Sequence, residues 1–203
     1  MPSPASGLKT RQALIEAARD FLGEGNSDVT IQDIARAAEV SVGSVYTYFA
    51  DKRELFEAAA AEAVLESTPE LAQITGDWED PGLGLMAAIL FAMKRPQFAP
   101  KTARIILTVG PLGFARNTDY FESPKQALRA SVEMGTAKCE DIPAFVMSLS
   151  GAYQNVLANI YAGTTDPDMP ERVMWMFTEM LGYSRAEFQK VAGYVAAYQS
   201  RQG

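Results

Sequence analysis

Residues 30–56 read TIQDIARAAEVSVGSVYTYFADKRELF, and the spacing of their apolar side chains decides the fold. Ile31, Ile34, Ala35 and Ala38 recur at helical intervals, which predicts a short helix over Ile31–Ala38 with one buried face. Thr30 stands before it, and Asp33 follows three residues later. The pair resembles a capping arrangement, with Asp a weaker partner than Glu or Gln but of the right charge for a helix N-terminus. After Glu39-Val40, Ser41 caps a second short segment in which Val42, Val45, Tyr46 and Phe49 repeat the same intervals. Two short helices joined by so few residues have helix-turn-helix geometry.

The second helix, Ser41–Phe49, has an unusual outer face. With Val42, Val45, Tyr46 and Phe49 turned inward, Gly43, Ser44, Thr47 and Tyr48 are left facing out. That face has no charge and no long aliphatic chain, so it can approach a base edge or a phosphate closely. Cations surround it. Lys9 and Arg11 lie near the start of the preceding helix, Arg36 is on the first helix of the pair, and Lys52 and Arg53 open a fourth helix capped by Asp51. Phosphate contacts set register, while groove contacts read sequence.

Outward from this motif, Leu14, Ala17, Ala18 and Phe21 predict a helix over Thr10–Leu22, ended by Gly23 and Gly25, with residues 1–8 as a frayed tail. The fourth helix runs to about Glu66. The Pro-, Gly-, Asp- and Thr-rich stretch Ser67–Pro81 is the expected boundary. It separates a DNA-binding domain (1–50, with 51–66 as a connecting helix) from a larger helical domain, 67–203. Helices are expected over Pro81–Lys94, Ala99–Leu112, Ser123–Gly135, Ile142–Ala162, Glu171–Leu181 and, after Ser184, Arg185–Tyr198. Gly110-Pro111 should kink or end its helix. No period-two run bounded by hairpin turns stands out, so the fold class is all-α.

Composition narrows the chemistry. The chain has 203 residues, no histidine and one cysteine. Imidazole bases, His-based metal sites and intrachain disulfides are therefore excluded, and no cofactor is expected. Glu133, Glu140 and Asp141 form no helical metal motif, and no phosphate loop or nucleophile elbow is present, so an enzyme is not expected. The N-terminus has no apolar signal core and the longest apolar runs, such as Leu85–Met93, are too short to span a bilayer. A soluble cytoplasmic protein is the expectation. The net charge of −7 speaks against non-specific nucleic-acid binding. Residues 1–66 hold six Lys and Arg against eleven Asp and Glu, so the DNA-reading part is the more acidic one. Affinity must then rest on a local cluster of cations, helix N-termini and hydroxyls, with a modest dependence on salt.

Thr30, Ile31, Ile34, Ala35, Ala38, Val40, Ser41, Gly43, Ser44, Val45, Tyr46, Phe49 and Lys52 follow, in order and spacing, the DNA-binding signature of the TetR family of transcriptional regulators, which residues 10–66 resemble. The turn residue that is usually Gly is here Glu39, where a left-handed backbone costs roughly 1 kcal/mol. The resemblance implies phosphate contacts from Thr30, Tyr46 and Lys52. It also implies a groove-facing set of Val42, Gly43, Ser44, Thr47 and Tyr48; Arg36, as a cation on the first helix, and Ser41, as the cap of the second, complete the expected DNA-binding surface. It further implies a homodimer on palindromic double-stranded DNA, formed through Ile142–Ala162 and Glu171–Leu181, and a pocket for a small-molecule effector in the C-terminal domain. Ser150, Gly151 and Ala152 would let paired helices approach closely. Candidate pocket residues are Met86, Leu90, Arg104, Phe114, Met147 and Asn155. For any single apolar one, plain core packing is the first expectation, and Asn155, on one helix face with Asn159, serves the surface or the dimer equally well. The last helix looks like an appendage. A regulator released from DNA by an apolar or amphipathic ligand is the leading reading. An architectural or partner-controlled DNA binder without a ligand is the alternative, favoured by a fully packed C-terminal core.

Overall fold

A computed structural model describes residues 4–66, 68–94, 100–117 and 121–201. Among the described residues there are eleven α helices and no strand. They are α1 (Pro4–Gly23), α2 (Ile31–Ala37), α3 (Val42–Tyr48), α4 (Lys52–Leu65), α5 (Thr68–Gly76), α6 (Pro81–Lys94), α7 (Pro100–Asn117), α8 (Glu122–Glu133), α9 (Ile142–Tyr161), α10 (Met169–Met180) and α11 (Arg185–Ser200). Packing sorts them into two units, α1–α4 with α7, and α5, α6 with α8–α11. The packed units change over between Glu66 and Ser67, and the stretch that holds α7 returns to the first unit. α7 lies along α1 and α4, with Ala103, Ile105 and Ile106 buried. Composition marks where a chain tends to turn, not which neighbour a later helix finds.

In the first unit, α1 starts at Pro4 and not at Thr10, so the expected tail over residues 1–8 is helical from Pro4 onward. Proline suits a first helical turn because its missing N–H has no partner there anyway. Leu14, Ile15, Ala18 and Leu22 bury the inner face of α1. Arg19 binds Glu66 at the end of α4 through its two terminal guanidinium nitrogens, with Nη1 2.6 Å from Oε1. In α7, Gly110 has φ 66° and ψ −178°, a conformation open essentially to glycine alone, and the helix kinks there as Gly110-Pro111 predicts.

The second unit is built around α6, ten of whose residues are buried. α5 occupies the stretch expected to be linker. Pro69 and Glu70 suit a helix start, and Ile74 is fully buried. A Cβ on Gly84 would lie 2.6 Å from the Thr75 carbonyl oxygen, so α5 and α6 meet backbone to backbone. α11 is no appendage. It packs on α6, buries Phe188, Val191, Val195 and Tyr198, and sets Tyr198 edge-on to Phe91 at 5.4 Å. A polar knot fastens the start of α6. The Asp80 carboxylate accepts hydrogen bonds from Gly82 N (2.8 Å), Ser131 Oγ (2.6 Å) and the Tyr183 hydroxyl (2.9 Å). Burial foremost, with the Asp80 charge adding to it, pushes the Tyr183 hydroxyl up to about 12.

Candidate nucleic-acid interface

α2 and α3 form the helix-turn-helix. Both halves of the Thr30 capping box are made. The Thr30 hydroxyl accepts from Asp33 N at 3.2 Å, and the Asp33 carboxylate accepts from Thr30 N at 3.2 Å. Hydrogen bonds from the Thr30 hydroxyl and then its backbone hold the Asp33 carboxyl below its ordinary range. Glu39 has φ 56° and is the one non-glycine residue with positive φ among the described residues. The departure at the turn is thus accommodated as strain, with the Glu39 side chain exposed.

α3 is capped by Ser41, whose Oγ accepts from Ser44 N at 3.1 Å, and it ends where Phe49 turns extended. Val45 and Phe49 are buried and Val42 is half-buried. Tyr46, expected on the inward stripe, is 58% exposed. Tyr48, expected on the outer face, is half-buried. Its hydroxyl oxygen lies 3.2 Å from where a Cβ on Gly7 would be, so it packs on the first turns of α1. The two tyrosines thus exchange places, Tyr48 being taken up against α1 and Tyr46 left facing outward. Gly43 and Thr47 are exposed, as expected, and Ser44 is half-buried. Gly7 was missed by the sequence reading. Nothing local distinguishes it, since its role depends on a residue 41 positions away.

The surrounding cations are mostly engaged. Arg36 pairs with Asp33 at 3.1 Å, Arg53 lies near Asp51 and Glu57, and Arg11 lies over the Phe49 ring at 5.3 Å. The Lys52 ammonium donates to the Ser27 and Val29 carbonyls, each at 3.1 Å, and sits 5.4 Å from the Phe56 ring centre.

Of the candidate effector residues, Met86, Leu90, Met147 and Asn155 belong to the second unit. Met86 and Leu90 are fully buried in α6. Arg104 belongs to the other unit, where its Nη1 donates to the Glu24 carbonyl at 2.9 Å and closes the end of α1. Met147 is 73% exposed and Asn155 is exposed on α9. The Phe114 side chain lies outside the described residues. An open cleft of about 490 Å³ at the start of α9 is lined by other residues, among them Cys139, Asp141, Phe145 and Met180. Helical spacing alone could not separate side chains on the core face of α6 from those on the outer face of α9. Among the described residues no cluster of His, Cys, Asp or Glu could hold a metal, and no helix is long and apolar enough to cross a membrane.

The family model for bacterial regulatory proteins of the tetR family matches residues 14–59, from the middle of α1 into α4. The HTH-type transcriptional regulator SrpR of Pseudomonas putida is 38% identical over 98 residues, which span 46% of this chain and 44% of SrpR. The HTH-type transcriptional regulator TtgW, also of Pseudomonas putida, is 37% identical over 98 residues, spanning 46% of this chain and 69% of TtgW. The crystal structure of RolR in complex with resorcinol superposes with a TM-score of 0.65 at 20% identity, covering 92% of this chain and 94% of RolR, a likeness of fold. With its capped helix-turn-helix inside the matched segment and its all-helical fold shared along nearly the whole length, the chain belongs to the tetR family of bacterial regulatory proteins.

Proposed function

We propose that this protein is a homodimeric, sequence-specific DNA-binding repressor of the cytoplasm, with α3 lying in the major groove and a small apolar or amphipathic ligand releasing it from its operator. The observation that carries the reading is the surface of α3. Gly43 and Thr47 are exposed, uncharged and small, beside a Tyr46 hydroxyl that is free to reach a phosphate. Ser41, Val42 and Ser44 flank that surface, Thr30 and Arg36 border it from α2, and Tyr48 steadies it against α1. Side chains of this size let the helix backbone approach base edges.

The dimer reading rests on an uncharged exposed stripe of α9, with Met147, Ser148, Gly151 and Asn155, together with Met176 and Met180 on α10. Three methionines more than half exposed on one pair of helices suit an interface. The ligand reading rests on the family and on RolR, which binds resorcinol in its crystal structure. A ligand would have to open space beside Met86 and Leu90, and their complete burial favours the second reading, control by a partner without a small molecule.

Selection of duplexes from a random-sequence pool tests the first claim. It should enrich a palindrome whose half-sites lie about one helical turn, or a multiple of it, apart. Tyr46→Phe should weaken binding to that duplex without changing the melting temperature. Failure to enrich any sequence refutes the reading. Thermal shifts that grow with the concentration of small aromatic compounds separate the ligand-controlled reading from the partner-controlled one.

A further inference from the structure

Lys52 carries the wrong charge for its position. It is the first residue of α4, after the Asp51 cap, where the helix dipole disfavours a cation. Its side chain nevertheless turns back across 25 and 23 residues of sequence to the carbonyl oxygens of Ser27 and Val29, both at 3.1 Å. Those carbonyls belong to the loop between α1 and α2, immediately before Thr30, the cap of α2. Val29 is itself buried, and the Lys52 ammonium supplies its part-buried carbonyl with a partner from within the protein. The Phe56 ring, 5.4 Å from the ammonium, supports the same orientation. Two of the three ammonium protons are therefore engaged inside the protein.

We infer that Lys52 is a positioning residue, a clamp that holds the α1–α2 loop and so sets Thr30 and α2 against the DNA, and that it does not serve chiefly to neutralise a phosphate. The inference rests on the DNA-binding reading above. It gives this lysine a role distinct from the cations that face solvent, such as Arg36, which is 77% exposed. It also accounts for how so acidic a reading domain keeps its helix-turn-helix in register. A cation at the edge of the reading surface is used to order the loop.

The experiment compares Lys52→Met, which keeps the stem and removes all donors, with Lys52→Gln, which is neutral yet keeps two N–H donors. Hydrogen exchange of the free protein is read at the amides of residues 29–34. Binding is read with a duplex selected from a random pool by the wild-type protein, across a series of salt concentrations. The clamp requires three results: faster exchange at those amides in Lys52→Met, at least about tenfold weaker binding with an unchanged slope of log affinity against log salt, and intermediate binding for Lys52→Gln. A phosphate contact would instead make the slope shallower by roughly 0.9 for each lysine, nearly two per dimer, with exchange unaltered and both variants equally weak. That result overturns the inference, as does an unchanged exchange rate in Lys52→Met. Should the wild type select no duplex, the functional reading fails, while the exchange arm still decides whether the clamp exists.

Discussion

Gly82→Ala should destabilise the second unit, although it replaces a glycine inside a helix with the best helix former. Gly82 sits in the first turn of α6, and its N–H reaches both Asp80 Oδ1 (2.8 Å) and Ser131 Oγ (2.7 Å). A Cβ there would lie 2.5 Å from the Tyr183 hydroxyl, 2.9 Å from Ser131 Oγ and 3.2 Å from Asp80 Oδ1. Tyr183 is 4% exposed and Ser131 is fully buried, so neither can swing into solvent. Overpacking of this kind costs about 1–3 kcal/mol. Stretching a hydrogen bond to a charged carboxylate puts a further ~1.5–3 kcal/mol at stake. Against this, Ala for Gly in a helix gains at most about 1 kcal/mol. The net expectation is a loss of about 2 kcal/mol, read as a lower urea midpoint at neutral pH with the slope unchanged. Tyr183→Phe removes the nearest clashing atom, so the double variant should lose at least ~1 kcal/mol less than the two single losses together. A Gly82→Ala protein as stable as wild type, or losses that add to within about 0.5 kcal/mol, would refute the packing argument.

Three further outcomes are expected. Burial works to raise the Asp80 pKa, but hydrogen bonds from Ser131, Tyr183 and Gly82 outweigh it and hold the carboxyl below its ordinary value. Its stabilisation is therefore full above about pH 4 and is lost as pH falls through the depressed folded value. Stability measured from pH 5 downward should decline more steeply in wild type than in Asp80→Asn, and parallel curves would exclude this role. Glu39→Gly relieves the left-handed turn at φ 56° and should raise unfolding free energy by about 0.5 kcal/mol, roughly 1 kcal/mol of strain removed against about 0.5 kcal/mol of added chain entropy. An unchanged or lower melting temperature would show the turn to be unstrained. At Gly151 a Cβ would meet nothing within 4 Å, so Gly151→Ala should not destabilise the subunit. If α9 pairs with a second copy it should instead weaken the dimer, measurable by sedimentation. A dimer of unchanged affinity would move the interface elsewhere.

Local chemistry in the sequence was enough for the elements. Helical spacing over Ile31–Ala38, the Thr30, Ser41, Asp51 and Ser184 caps, and the Gly110-Pro111 kink all depend on residues within one or two turns of each other, and each is present. The helices expected over Pro81–Lys94, Ser123–Gly135, Ile142–Ala162 and Glu171–Leu181 agree with α6, α8, α9 and α10 to within two residues at each end. The order and spacing of thirteen residues sufficed for the family. Other features needed the tertiary structure, because they join residues far apart in the chain. Tyr48 turns in because it packs on Gly7 of α1, and Tyr46 is left facing out. Arg104 closes the end of α1 because α7 packs on α1 and α4. Likewise α5 forms within a stretch of linker composition because Gly84 opens a groove for it, and α11 is core because α6 has an apolar face left to cover. Periodicity tells which side of a helix is apolar, and only packing tells what that side meets.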